Sequence, residues 1–113
     1  MEKPLTVRCA EALGWTSKQL PPLGHHPGPT AWRNPETGIE GCYFPPYGED
    51  TPEGWACTGP LMARYGLCTM VNLKVWHCYD AATGNEVGDH QNPCAALADW
   101  VAQFVTDGEV RSC

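Results

Sequence analysis

The sequence predicts an α+β domain: an antiparallel sheet of about four strands with helices on both faces, in the order α-β-β-α-β-β-α. Three observations carry this. Three segments place apolar residues at helical spacing or open with a helix-start signature, a proline at the first helical position. Between them lie short segments of strand-like alternation bounded by turn residues. Eleven prolines and twelve glycines cut the chain into short elements. The 113 residues fit one domain, spanning 1–113, and 42% apolar content is enough for one core.

The first helix covers residues 5–14, with Leu5, Cys9, Ala12 and Leu13 on one stripe, Pro4 at its start and Gly14 at its stop. Residues 16–30, TSKQLPPLGHHPGPT, read as a loop because four prolines and two glycines interrupt them. A hairpin follows, in which AWRN and IEGCYF flank PETG and Gly38 takes the positive φ that reverses the chain. PPYGEDTPEGW, residues 45–55, then leads into a second helix over 51–65. Thr51 can cap that helix, Pro52 fits its first position and Glu53 favours the positive end of its dipole. Pro60 lacks the donor an interior position needs, so either the helix kinks there or the true helix starts near Thr58 and ends before Gly66; a kinked or two-piece helix over 51–65 is expected. CTMVNLKVWHCY, residues 68–79, alternates as one strand, with Val71, Leu73 and Val75 on one face and Met70, Trp76 and Cys78 on the other. DAATG turns the chain and NEVGDH offers a short, polar edge strand. Asn92 caps and Pro93 opens the last helix, which runs to about residue 106 with Cys94, Leu97, Ala98, Val101, Phe104 and Val105 as its apolar stripe.

Charge and composition exclude several function classes. The net charge is −6, and Lys3, Arg8, Lys18, Arg33, Arg64, Lys74 and Arg111 form no basic stripe. A nucleic acid polymer is therefore not an expected partner. No apolar run is long enough to span a membrane, and MEKPLTVRCAEALGW has no signal-peptide core. The expected location is cytoplasmic, where thiols stay reduced. The seven cysteines include no C-x-x-C pair, and neither His77-Cys78 nor the His90/Cys94 spacing makes the paired knuckles of a zinc site. Cys9, Cys42, Cys68, Cys78 and Cys94 read as core filling, Cys113 as an exposed thiol. No metal, cofactor or catalytic residue set is expected. YGEDTPEG is not followed by the Gly-Lys-Ser/Thr of a phosphate loop, and no nucleophile elbow occurs.

Binding fits the composition better. Five tryptophans and four tyrosines give large contact area and can stack on a purine. Trp15, Trp55 and Trp100 read as core. The candidate ligand-binding residues are Trp32, Arg33, Tyr47, Thr51 and Trp76. Arg33 sits beside a turn, and the helix start around Thr51 can meet an anion. PPYGEDTPEGW itself is accounted for as strand-to-helix punctuation.

The order of elements, with AEALGW at 10–15, AWRNPETG at 31–38, PPYGED at 45–50 and NPCAALADWVAQF at 92–104, resembles the bacteriophage ABA sandwich domain family over roughly residues 5–106. The resemblance implies a sheet sandwiched between helices and a phage or prophage origin, and brings no catalytic residues. PPLGHHPGPT and Gly59-Pro60 depart from the family pattern. The function expected is a non-catalytic phage accessory protein that binds a small anionic or nucleotide-like ligand, in its concrete form a counter-defence sponge for a nucleotide-derived immune signal of the host. The alternatives are a protein–protein inhibitor or adaptor acting on a host enzyme through HHPGP, and a small metal-dependent hydrolase using His25, His26, His77 or His90. An edge strand and the aromatic surplus point to a homo-oligomer.

Overall fold

The computed structural model describes residues 3–42 and 44–110. Tyr43, Arg111 and Cys113, included in the readings above, lie outside the described residues. The α+β class and the antiparallel pairing both hold. The chain runs α1 (Leu5–Ala12), β1 (Thr16–Gln19), β2 (Thr30–Arg33), β3 (Glu40–Gly41), α2 (Pro52–Tyr65), β4 (Leu67–Asn72), β5 (Val75–Asp80), β6 (Glu86–His90), α3 (Pro93–Phe104), β7 (Val105–Thr106) and β8 (Glu109–Val110). In place of one sheet of about four strands, the strands divide into β1-β2-β3, β4-β5-β6 and a β7-β8 ribbon.

β1 lies in the segment predicted as loop. All four of its residues are exposed, so neither face carries the apolar alternation that marks a half-buried strand. It exists through its ladder with β2, from Thr16↔Arg33 to Gln19↔Thr30, and Leu20 N–H donating to the Pro29 carbonyl extends that ladder toward a Leu23↔His26 bridge. The β2–β3 hairpin forms as expected. Asn34 Oδ1 accepts from Glu36 N–H, Gly38 N–H donates to the Asn34 carbonyl, and Gly38 has φ 74°.

Helix α2 is one continuous helix and does not begin near Thr58. Thr51 Oγ1 accepts from Gly54 N–H at 3.0 Å, and Gly66 at φ 65° closes the C-terminus. Pro60 is exposed within it. Its missing N–H leaves the Ala56 carbonyl without a helical donor, and Ala56 is exposed as well.

The predicted strand 68–79 is a hairpin. Leu73 and Lys74 take φ 52° and 67°, a two-residue turn with both central residues left-handed, and β4 pairs with β5 from Leu67↔Asp80 to Asn72↔Val75. Such turns usually announce themselves as Asn-Gly or Asp-Gly; Leu-Lys gives no warning. The turn also redistributes the faces. Leu67, Thr69 and Val71 share a face with Trp76, Cys78 and Val87, while Met70 and Val75 lie on the other with Cys68, His77 and Tyr79. β6 pairs with β5 as a short edge strand, after a turn in which buried Asp80 accepts from Ala82 N–H and the Thr83 hydroxyl.

Helix α3 is capped by Asn92, whose Oδ1 accepts from Ala95 N–H at 2.8 Å. It ends at Phe104 and not near 106, because Val105–Thr106 pairs with Glu109–Val110 around Asp107-Gly108 at φ 52° and 81°. α3 is the centre of the molecule. Cys94, Ala96, Leu97, Ala98, Trp100 and Val101 are buried on it, β4-β5-β6 packs on one side, and α1 and α2 pack against it elsewhere. The helices therefore do not cover both faces of one sheet. Met70, Val75, His77 and Tyr79, on the other face, take no part in the hydrophobic core among the described residues. No helix among them is long and apolar enough to cross a membrane.

Candidate functional site: an aromatic cleft

A concavity lies between the end of α1, the β2–β3 turn and the outer side of α2. It consists of two adjoining cavities of about 320 and 370 Å³ that share Trp15, Asn34 and Cys57. Trp15 arrives there because Gly14, at φ 100°, turns the chain at the end of α1, and Trp15 N–H donates back to the Ala10 carbonyl. Its indole Nε1–H donates to the Tyr47 hydroxyl at 3.2 Å, and the two rings meet edge to face at 6.4 Å. Tyr47 is only 8% exposed. Gly48 behind it, at φ 84°, carries no side chain where a Cβ would come within 3.0 Å of Ala98 Cβ, and its N–H donates to Thr58 Oγ1. Burial pushes the Tyr47 phenol up to about 12, so it is a neutral hydroxyl with a proton to donate. On the second cavity Trp32 packs against Phe44, with ring centres 4.5 Å apart and planes tilted by 46°.

The cationic group of the cleft is Arg64, in the last turn of α2. Its Nη1 donates to Glu36 Oε1 at 3.0 Å, its Nη2 to the Gly108 carbonyl at 3.3 Å, and its guanidinium lies 5.2 Å from the Tyr65 ring centre. Tyr65 OH donates to the same Gly108 carbonyl at 2.6 Å. The Asp107-Gly108 turn thus fixes the guanidinium from behind, while Glu36, from the β2–β3 turn, holds it in front. Pro60 and Ala56 line the first cavity. Cys57 lines both cavities, but burial raises its thiol pKa, which leaves a weak nucleophile.

The predicted ligand residues fall in different places. Trp32 and Tyr47 line the two adjoining cavities. Arg33 points to the opposite face of β2, into a shallow groove with Lys18 and Glu40, as strand neighbours must. Thr51 spends its hydroxyl on the α2 cap and lines none of these cavities. Trp76 lies on β5, half-buried against the core that α3 organises. Trp15 and Trp55, read as core, are half-buried and pack against it; Trp15 also joins the two cavities, and Trp55 Nε1 donates to Asp50 Oδ1. Sequence reasoning missed Arg64. It counts in the sequence only as one of the scattered basic residues, and its place in the last helical turn suits a cation to the dipole without pointing to a ligand.

His25 and His26 are exposed near the β1–β2 turn, His77 lies on the outer face of β5, and His90 Nε2 meets Asp99 Oδ2 at 2.6 Å. No group of three or more His, Cys, Asp or Glu side chains among the described residues is placed to hold a metal ion. Burial raises the thiols of Cys9, Cys78 and Cys94, so none is a ready thiolate for that histidine. No family model, no curated protein and no solved structure matches this chain.

Proposed function

We propose that this protein is a non-catalytic binding protein for a small, planar, anionic ligand of nucleotide type, held in the aromatic cleft. The observation that carries the reading is the joining of Trp15, Trp32 and Tyr47 to one oriented cation, Arg64, around adjoining cavities of about 320 and 370 Å³. Small-molecule sites are concave, mainly apolar and aromatic, with a few fixed polar groups. An indole wall stacks a base, the neutral Tyr47 hydroxyl offers a donor, and Arg64 meets a phosphate. The resemblance to phage ABA sandwich domains supplies the setting: a sponge that sequesters a nucleotide-derived immune signal of a bacterial host.

The test is calorimetry and thermal melting against a panel of cyclic nucleotides and ADP-ribose derivatives. One member is expected to bind, quench tryptophan fluorescence and be recovered intact, and Arg64→Ala is expected to weaken that binding at least about tenfold, as loss of a charge-assisted hydrogen bond should. No response across the panel sinks this version. A second reading has one observation in its favour. Leu23, 77% exposed at the tip of the β1–β2 hairpin beside His25 and His26, suits contact with a protein. A stoichiometric host protein retained by the wild-type chain and lost on Leu23→Ser would favour that inhibitor or adaptor role.

A further inference from the structure

The two three-stranded sheets end in the edge strands β1, β3, β4 and β6. Three of these are blunted. β1 is polar and exposed throughout, with Lys18 ion-paired to Glu40. β3 has two residues. β6 carries Glu86 and Asp89, the latter at φ 66°, and its ladder with β5 shifts register between Trp76 and Cys78. Charge, shortness and bulges are the devices that keep a sheet edge from pairing. β4 has none of them. It reads LCTMVN, six residues without charge, proline or glycine, in unbroken register with β5.

The free groups of β4 follow from the hairpin. Asn72 and Val75 flank the two-residue turn, and in such a hairpin that pair exchanges both main-chain bonds. Alternation then directs the N–H and C=O of Val71 and Thr69 away from β5. The side chains beside them are apolar and open: Met70 is 44% exposed on the outer face, Val71 54% on the other, and Leu73 90% at the tip. Leu73 is also held at positive φ, an unfavourable conformation for a leucine, in full view of solvent. The charge pattern agrees. From Gly66 to Tyr79 the sequence holds Lys74 and no acid, on a chain of net charge −6. This is a stretch where two acidic copies can approach without opposing carboxylates.

We infer that β4 pairs antiparallel with β4 of a second copy about a twofold axis at Met70, joining two three-stranded sheets edge to edge. Thr69 of each copy lies opposite Val71 of the other, which satisfies the free main-chain groups of both strands, and the two Met70 side chains meet on the outer face. The contact is self-complementary, as a twofold interface requires. It is separate from the aromatic cleft, which no β4 residue lines, so it stands or falls independently of the ligand.

Sedimentation equilibrium across micromolar concentrations, with hydrogen exchange of the 67–72 segment, tests it. The wild-type chain is expected to dimerise, and the Thr69 and Val71 amides to gain protection as concentration rises. Met70→Lys puts like charges face to face, and Val71→Pro removes a donor that β5 does not use. Each is expected to raise the dimer dissociation constant at least about tenfold with the circular dichroism spectrum unchanged. A wild-type monomer, or a dimer whose 67–72 amides exchange no more slowly as concentration rises, overturns the inference, whatever other partner the edge takes.

Discussion

Tyr47 shows how one side chain can serve the fold and the cleft together. Its ring is buried between α1 and α2, its hydroxyl accepts the Trp15 indole proton, and it faces a cavity. Desolvation holds its pKa near 12 against an ordinary 10.0, and holds the Cys78 thiol near 12 against 9.0. Both groups are protonated in folded and unfolded chains below about pH 8. As pH rises further, the unfolded chain loses these protons first, so the equilibrium moves toward unfolding. Stability is therefore expected to be level with respect to these groups below about pH 8 and to fall from there toward pH 12. Urea midpoints measured across this range under reducing conditions check the fall, and Tyr47→Phe should make it shallower above pH 10, leaving the share due to Cys78. A profile in Tyr47→Phe identical to that of the wild type would show that the phenol is not desolvated as described.

At the scale of elements, the turns decide more than the strands and helices they join. Leu73 and Lys74 occupy left-handed positions that Asn and Gly adopt more readily. The double substitution Leu73→Asn, Lys74→Gly is expected to stabilise the chain by about 1 kcal/mol, the typical penalty for an ordinary residue in that region. Chemical denaturation measures it, and a loss of stability would mean that Leu73 makes contacts its 90% exposure does not suggest. The second such turn, Asp107-Gly108, carries the Asp-Gly signal in the sequence. Its role emerges only in three dimensions. Gly108 N–H donates to the Ala12 carbonyl at the end of α1, and its own carbonyl accepts from Tyr65 and Arg64 at the end of α2. One tight turn thus ties two helix ends and orients the cation of the cleft.

Over the whole molecule, stability converges on α3, and on α3 it converges on Trp100. That side chain is fully buried, its indole donates to the Asn85 carbonyl at 3.1 Å, and its ring packs between Tyr65 at 6.1 Å and Phe104 at 5.3 Å. It links the β4-β5-β6 sheet through Asn85 and α2 through Tyr65. Trp100→Ala is expected to cost about 3–5 kcal/mol, enough to unfold a domain of ordinary stability. Loss of the cooperative melt is the readout, and a cooperative transition close to that of the wild type would show that the core is organised elsewhere. β1-β2-β3, by contrast, buries Ala31 alone among its strand residues, so this sheet is expected to exchange its amides sooner than the α3 layer.

Local chemistry was enough to determine much of this protein. Pro4, Thr51-Pro52 and Asn92-Pro93 start their helices where capping geometry and a fixed φ require, and Gly38 and Gly66 stop or reverse the chain through positive φ. These signals act within a few residues, so they can be read without the fold. The tertiary structure alone decided the rest. β1 has no apolar face and is a strand because β2 pairs with it. Leu73-Lys74 turns because β4 and β5 pair on either side and outweigh the local preference of both residues. Pro60 remains inside a helix that packing against α3 maintains. The cleft belongs to the same class: Trp15, Tyr47 and Arg64 are far apart in sequence and approach one another only when α1, α2 and the Gly108 turn close around the core. Tertiary contacts, not spacing, set their roles: Tyr47 is desolvated, while half-buried Trp15 and exposed Arg64 are placed by long-range hydrogen bonds that depend on which surfaces face each other after folding.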